Sequence, residues 1–409
     1  MMRSKVQRLA ASCGLVLGVM GGLMVFAPST AGAANSPVLY NSIVTPLPGN
    51  VVSQSFEATG TSEFGNAITL ATPGSLSNVV VTMSSWGCQT GNWNNDTCAT
   101  TPGSTFSTPI TLNIYSPGAN GAVGALIATD TQSFAIPYRP SADNTHCTSA
   151  AGTLGEWYDA TEAACHNGLA VNITFDFSSQ HPALPSSLIY GIQYNTSDYG
   201  PVPYGHATAC AATTAGCGYD SLNVGLSSDA TAVTAGSDAN PGKLYMNNKF
   251  GYEYCDNGAA GAGTFRLDSP GQDPNNCAAG SQGGWSINGT SAPYYVPAVQ
   301  FNSPSATTLV TQPAVLELLP GLSLLAGPTA TLSSGNVPLG GQTVTFTTPS
   351  GSPLCTATTN PVGVATCGSG SALSALLALG YQANFAGKGS YLPTSAHGSL
   401  IVLLGFTLL

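Results

Sequence analysis

Short strand-like runs separated by turn residues constrain the fold of this chain more than any other feature. β-branched and aromatic runs recur between clusters of Gly, Pro, Asn and Ser, and helical periodicity is almost absent. In Val171–Phe177 the odd-numbered residues are apolar and the even-numbered ones are polar, which is typical of an antiparallel strand with one buried face. The pattern therefore predicts an all-β, antiparallel fold.

Ten such runs precede residue 302. They are Val38–Val44, Ser53–Ala58, Leu76–Ser84, Ile110–Tyr115, Val123–Thr129, Gln132–Ile136, Leu169–Phe177, Leu188–Tyr194, Ser221–Leu226 and Tyr295–Phe301. Long Gly/Asn/Ser-rich insertions separate some of them, and loops of this length are usually functional or externally restrained. We predict a rigid sandwich whose loops are stapled by disulfides.

The cysteines supply the expected restraint. Ten of the eleven follow the first 33 residues, and they fall as neighbours along the chain: Cys88 and Cys98, Cys147 and Cys165, Cys210 and Cys217, Cys255 and Cys277, Cys355 and Cys367. Ten cysteines allow many connectivities, of which pairing between neighbours is the simplest. Zinc binding is the alternative, but the sequence has neither a CxxC pair nor a His at zinc-ligand spacing from a Cys pair. An even number of cysteines in such a chain indicates disulfides formed in an oxidising compartment.

The N-terminus has the organisation of an export signal. Arg3, Lys5 and Arg8 precede the apolar run Leu9–Ala27, and Ala31-Gly32-Ala33 fits the cleavage pattern of small residues. We predict a signal peptide at residues 1–33 that is removed. An uncleaved membrane anchor is the alternative, because the run is almost long enough to span a bilayer. The expected location is extracellular, either free or associated with the cell wall.

The net charge of the chain limits the classes of partner that it can bind. Removal of the three basic residues of the signal leaves five Lys and Arg against eighteen Asp and Glu, a formal charge of −13. Such a surface repels nucleic acid, so we expect no nucleic-acid partner. No later apolar run reaches about 20 residues, and we expect no transmembrane segment in the mature chain.

The composition changes near residue 302, and the C-terminal quarter resembles the bacterial Ig-like repeat of surface and secreted proteins, particularly those of actinobacteria. The blocks that carry the resemblance are Gly340–Phe346, Leu354–Cys367, Gly380–Gly387 and Tyr391–Ala396. The resemblance implies a small Ig-like β-sandwich at residues 304–409. Members of this family act as spacers, stalks or adhesive modules without catalytic residues.

Local patterns in this part agree with strands. Val344 and Phe346 share one face of a strand, with threonines on the other. Turn residues at 360–363 predict a hairpin, and Cys355 and Cys367 would stand opposite each other across it.

Residues 36–303 more loosely resemble the "choice-of-anchor" β-sandwich domains of exported bacterial proteins. The stretches concerned are Leu76–Ser84, Ile110–Ser116, Gly124–Thr129 and Leu184–Tyr190. Together the two resemblances imply a large jelly-roll-like antiparallel β-sandwich with long disulfide-stapled loops, followed by a smaller Ig-like β-sandwich. Neither resemblance implies an activity.

No common catalytic signature is present. The sequence lacks the hydrolase GxSxG, HExxH, the phosphate-binding loop and a dinucleotide fingerprint. We therefore predict no catalytic residue, no metal and no cofactor. The alternative is a secreted carbohydrate-active enzyme that uses paired acids from two loop clusters: Glu156, Asp159 and Glu162, and Glu253 and Asp256. A calcium loop at 268–276 is a weaker alternative, since it lacks the EF-hand spacing.

The leading functional prediction is a non-catalytic bacterial protein, secreted or on the cell surface. It would be a binding, adhesion or envelope-structural module with the Ig-like domain as spacer. Aromatic residues in the loops would contact a glycan, the cell wall or a surface protein. The loop aromatics that motivate this prediction are Trp86, Trp93, Trp157, Tyr158, Tyr252, Tyr254, Trp285, Tyr294 and Tyr295. The residues singled out as ligand contacts are Trp93, Trp157, Tyr158, Tyr252 and Tyr254.

Overall fold

The computed structural model describes eleven stretches of the chain: residues 37–56, 60–91, 93, 96–194, 222–228, 232–241, 243–248, 258–268, 295–318, 323–368 and 379–404. The expected signal peptide, two of the expected cysteine pairs (210 with 217, 255 with 277) and nearly all of the 268–276 loop lie outside them. The all-β, antiparallel prediction is confirmed, since apart from two short 3-10 turns almost every regular element in these stretches is a strand and only one strand pair is parallel. In these stretches no helix is both long and apolar enough to cross a membrane.

Eighteen strands are described before residue 303. They are β1 (Val38–Asn41), β2 (Ser53–Gln54), β3 (Glu63–Thr69), β4 (Gly74–Ser75), β5 (Asn78–Ser85), β6 (Thr105–Pro117), β7 (Val123–Pro137), β8 (Trp157–Asp159), β9 (Ala164–His166), β10 (Leu169–Asp176), β11 (Ala183–Leu184), β12 (Ser187–Gln193), β13 (Leu222–Ser228), β14 (Ser237–Asp238), β15 (Tyr245–Met246), β16 (Arg266–Leu267), β17 (Tyr295–Pro297) and β18 (Val299–Asn302). The 3-10 turns are Ala119–Gly121 and Ser149–Ala151.

Two sheets form the large unit. In the first, β5 is central: it pairs with β10 along its whole length on one side, and with β18 and then β13 on the other. β18 pairs onward with β1, and β13 with β2 and β17. The second sheet has the order β16-β15-β3-β12-β6-β7, with β14 also on β3. Both sheets contribute to one hydrophobic core, so the unit is a β-sandwich.

The alternation in β10 has the predicted consequence. Ile173, Phe175 and Phe177 are buried in the core, whereas the polar residues between them are exposed. One strand prediction is wrong in detail, because the two runs expected at 123–129 and 132–136 form the single strand β7. Its register on β6 continues through Asp130 and Thr131, which pair with Leu112 and Thr111, so the polar residues between the runs extend the ladder rather than turn the chain.

Eleven strands follow residue 303. They are β19 (Thr308–Gln312), β20 (Ala314–Leu318), β21 (Ser323–Ala326), β22 (Thr329–Ser334), β23 (Val337–Pro338), β24 (Thr343–Thr347), β25 (Pro353–Thr358), β26 (Val364–Thr366), β27 (Tyr381–Phe385), β28 (Thr394–Gly398) and β29 (Leu400–Leu404). One sheet contains β19-β22-β23 with β26 on β22, and a second has the order β25-β24-β27-β28. A third, smaller sheet has the order β21-β20-β29, in which β20 and β29 form the parallel pair. A second, separate core includes Val344 and Phe346 of β24 together with Ala330 and Leu332 of β22. The Ig-like and jelly-roll-like assignments, and the expected domain limits, stay predictions.

The hairpin expected around residue 361 is wrong. The turn itself forms, since Asn360 N–H donates to the Val364 carbonyl at 2.9 Å. Beyond it the strands diverge, because β25 pairs with β24 whereas β26 pairs with β22 in the opposite sheet. The disulfide between Cys355 and Cys367, with Cα atoms 6.0 Å apart, therefore joins the two sheets rather than the two arms of a hairpin.

Glu63 of β3 is a buried carboxylate, and we expect it to make stability depend on pH. Burial raises its pKa above the usual 4.5, and hydrogen bonds donated to its Oε1 by Asn113 (3.0 Å) and Tyr115 (2.9 Å) oppose that rise only in part. A raised pKa means that the folded state prefers the protonated acid. Glu63 therefore contributes most to the free energy of unfolding below the pKa that it has in the unfolded chain. This contribution is lost as the pH rises through its pKa in the folded state.

Glu63→Gln keeps the shape and the acceptor oxygen but cannot ionise. We expect the variant to unfold at higher urea concentration than the wild type at pH 7, and at nearly the same concentration at pH 3.5. The two urea curves at each pH measure this difference. An equal gap at both pH values would contradict the assignment.

Candidate ligand-binding site

Two stapled loops lie side by side at one end of the large sandwich. Disulfides join Cys88 to Cys98 and Cys147 to Cys165, with Cα separations of 5.5 and 5.8 Å. With the inter-sheet bond described above, three of the five neighbouring cysteine pairs are thus joined in the structure. The other two pairs lie outside the described residues.

Arg139 is hydrogen-bonded to both disulfide-closed loops. Its side chain is fully buried, its backbone N–H donates to the Gly87 carbonyl at 3.0 Å, and its Nη2 donates to the Gly155 carbonyl at 2.5 Å. Burial lowers the pKa of the guanidinium to about 10, while the nearby Glu156 carboxylate opposes that shift. Arg139 therefore stays protonated at neutral pH, and its guanidinium donates to the second loop while its backbone N–H donates to the first.

Trp157 forms the interior of the second loop. It is only 7% exposed, and its indole Nε1 donates to the Gly168 carbonyl at 2.7 Å. β8 and β9 form a small hairpin there, in which Trp157 pairs with His166. This packing carries His166 and Asn167 to the outer face of the first sheet.

A cavity of about 480 Å³ lies at that face, within the size range of small-molecule sites. Its walls come from four places in the chain: residues 50–53 with Ser55, Trp86 and Trp93, His166 and Asn167, and Asn223 of β13. The two stapled loops and a central strand thus meet at one concave surface.

The two tryptophans form an aromatic corner of this cavity. Their rings are 4.7 Å apart at 84°, an edge-to-face pair, and both side chains are half-buried. Trp86 Nε1 donates to Ser84 Oγ at 2.9 Å, and that hydroxyl donates to Asn50 Oδ1 at 2.7 Å. A Cβ at Gly168 would lie 2.4 Å from Trp86 Nε1, so only glycine fits behind the indole.

Asp159, Glu162 and His166 form an acidic cluster next to the cavity, and His166 is also part of the cavity wall. Ligating atoms of Asp159, Glu162 and His166 lie within 4.8 Å of one another, a spacing that could hold a metal ion. Both Glu162 oxygens already have partners, however, since Oε1 accepts the Gly49 N–H at 2.8 Å and Oε2 contacts His166 Nε2 at 3.0 Å. Asp159 accepts the Thr161 N–H at 2.7 Å, a bond that lowers its pKa. We interpret the cluster as a clamp that holds residues 49 and 50 against the stapled loop.

The polar groups of the cavity wall are neutral amides and hydroxyls together with one imidazole. No Lys, Arg, Asp or Glu is among the described residues that line it. Such a surface offers hydrogen bonds and aromatic contact rather than a counter-charge.

The structure brings one of the aromatic residues singled out by sequence, Trp93, to the cavity. Trp157 packs beneath it, and Tyr158 is half-buried and stacks on His146 at 4.4 Å and 12°. Tyr252, Tyr254, Glu253 and Asp256 lie outside the described residues.

Trp86, one of the loop aromatics named from the sequence, also lines the cavity. Asn50 and Asn223 were not singled out from the sequence, and no local signal could have indicated them.

No known family model matches this chain, and a search of curated proteins finds no significant match.

Proposed function

We propose that the chain is an exported, non-catalytic binding protein that holds a glycan of the cell wall or of another surface in the cavity beside Trp86 and Trp93. The observation that carries the proposal is the aromatic corner in a cavity with neutral polar walls. Half-buried indoles offer a flat apolar face at little entropic cost, and the amides and hydroxyls beside them can satisfy sugar hydroxyls. The C-terminal unit would act as an Ig-like spacer.

The acidic groups of the site favour binding over hydrolysis. A glycosidase needs two carboxyl groups facing the sugar, roughly 5–10 Å apart. Glu156 accepts a hydrogen bond from Asn167 Nδ2 at 2.9 Å, and Glu162 is engaged in the clamp. Neither carboxylate is in the cavity wall.

Trp93→Ala tests the proposal. We expect the purified protein to be retained by isolated cell-wall material or by particular glycans of an array, and the variant to bind at least about 30-fold more weakly. That factor corresponds to about 2 kcal/mol, the usual size of a hot-spot contact.

Tyr158→Ala is the matched control, because it removes an aromatic ring of the other disulfide-closed loop, away from the cavity. Its affinity should stay near that of the wild type. Absence of retention by any glycan or wall preparation, or equal binding by the Trp93 variant, would contradict the proposal and favour a purely structural envelope component.

A further inference from the structure

Two asparagine side chains of the cavity wall, Asn50 and Asn167, are each held at one end only. Both are half-buried. Asn50 Oδ1 accepts a hydrogen bond from Ser84 Oγ at 2.7 Å, and Asn167 Nδ2 donates one to Glu156 Oε1 at 2.9 Å. The other end of each amide is open to solvent and has no hydrogen-bond partner within the described part of the chain. Each asparagine therefore has one polar atom available to a ligand.

The buried hydroxyl of Ser84 determines which end of the Asn50 amide is available. The indole Nε1 of Trp86 can only donate, so Ser84 Oγ accepts from it and keeps its own proton to donate. Ser84 is fully buried, and among the described residues Asn50 Oδ1 is the acceptor of that proton. An amide turned the other way would leave the buried proton without an acceptor. Asn50 therefore presents its Nδ2, a donor, to the cavity.

A carboxylate orients Asn167 in the opposite sense. An ionised carboxylate can only accept, so Glu156 must face the Nδ2 of Asn167, which leaves Oδ1 available as an acceptor. The two chain segments lie side by side, because the Ala170 N–H donates to the Gly49 carbonyl at 3.0 Å. The cavity wall thus offers one oriented donor and one oriented acceptor from adjacent segments.

A secondary amide is a neutral group that matches such a pair. Its carbonyl can accept from Asn50 Nδ2, its N–H can donate to Asn167 Oδ1, and its planar geometry keeps the two groups in a fixed relation. The methyl group of an acetamido substituent is apolar, as is Val51 in the same wall. Because an amide is uncharged, its recognition does not depend on the charge of His166.

We infer that the ligand is an N-acetylated sugar, whose acetamido group bonds to Asn50 Nδ2 and Asn167 Oδ1 while its ring contacts the Trp86–Trp93 corner. This inference rests on the proposed binding function and narrows it to one class of glycan. The amide and aromatic contacts are adjacent, since Trp86 and Asn50 share the hydroxyl of Ser84. A pyranose carries its acetamido group directly on the ring whose C–H face the indoles would contact.

Calorimetric titration of the full chain with chitohexaose and cellohexaose tests the inference. The two oligosaccharides have the same backbone and linkage, but each ring of chitohexaose has an acetamido group where cellohexaose has a hydroxyl. We expect chitohexaose to bind at least about tenfold more tightly, because only its amide matches both asparagines.

Asn50→Asp keeps the acceptor for Ser84 and replaces the donor Nδ2 by an oxygen, which repels the acetamido carbonyl. We expect chitohexaose to bind at least about tenfold more weakly to this variant. Cellohexaose should change by less than about threefold, because its hydroxyl can rotate and donate instead. Asn144→Asp adds the same charge at an exposed position outside the cavity wall and should keep the wild-type preference. A disturbed fold would weaken both sugars alike, and thermal unfolding of each variant monitors it.

Three results would overturn the inference. One is Trp93-dependent binding of cellohexaose, or of any other glycan, without tighter binding of chitohexaose. Another is a preference for chitohexaose that Asn50→Asp leaves unchanged. Both of these would leave the proposed function intact. The third is binding of N-acetyl-tetraalanine amide as tight as that of chitohexaose, since the site would then recognise a peptide. Absence of Trp93-dependent binding to every glycan would instead overturn the proposed function itself.

Discussion

Replacement of Arg139 by alanine is expected to lower the free energy of unfolding of the large sandwich by about 3 kcal/mol. The side chain is fully buried, so its removal leaves a cavity, and the Gly155 and Pro140 carbonyls lose the donors Nη2 and Nε. Because the side chain holds the Cys147–Cys165 loop through the Gly155 carbonyl, glycan binding should weaken as well. Urea unfolding, followed by the tryptophan fluorescence of the loops, measures the loss.

Arg139→Met is the matched variant. It fills most of the same volume and removes the buried charge, and relief of the desolvation cost offsets part of the lost hydrogen bonding. We expect the Met variant to lose clearly less stability than the Ala variant. Equal losses of stability in the Ala and Met variants would show that filling the Arg139 site does not stabilise the fold. That result would contradict the prediction.

Loss of the Cys147–Cys165 disulfide is expected to have an effect of similar size. Changing both cysteines to serine removes a cross-link between residues 18 positions apart, which is worth about 3 kcal/mol in the chain-entropy model. The same loop carries His166 and Asn167 into the cavity wall, so the double variant should also lose most of its glycan affinity.

The Cys355–Cys367 pair provides the control. Its separation of 12 residues predicts a closely similar stability cost of about 3 kcal/mol, but it joins the sheets of the other unit. The corresponding double serine variant should melt earlier and bind the glycan as the wild type does. Equal affinity in both double variants would contradict the role given to the stapled loop.

Alternating strands could be predicted from the sequence because their pattern is local. β10 and β24 have period-two burial that follows directly from their residue order. The inter-sheet path of the Cys355–Cys367 bond could not be predicted, because a turn sequence specifies the reversal but not which strand each arm pairs with.

β3 illustrates a strand that sequence propensity misses. Its first residues, Glu63-Phe-Gly-Asn66, include types that are depleted in strands. The strand forms because it lies between β12 and β15, and Gly65 permits close contact with its neighbour. A Cβ there would lie 1.7 Å from the Tyr190 carbonyl oxygen. Tertiary pairing, rather than local preference, determines this element.

Only part of the candidate site could be predicted from the sequence, because tertiary packing also determines which residues meet at the cavity. Aromatic residues in loops beside cysteines indicated Trp86 and Trp93, but Asn50 and Asn223 join them only through long-range packing. Sequence alone could not distinguish the buried Trp157 from the half-buried Trp93, since both lie in loops closed by disulfides. The distinction comes from the hydrogen bond of Trp157 to Gly168.

Disulfides that close the loops can form only if the chain passes into an oxidising compartment. Cells that express the full sequence should release the protein, and thiol titration of that material, denatured without reductant, tests the claim directly. We predict no reactive thiol among the ten cysteines that follow residue 33. Several reactive thiols per chain would contradict both the location and the stapled site.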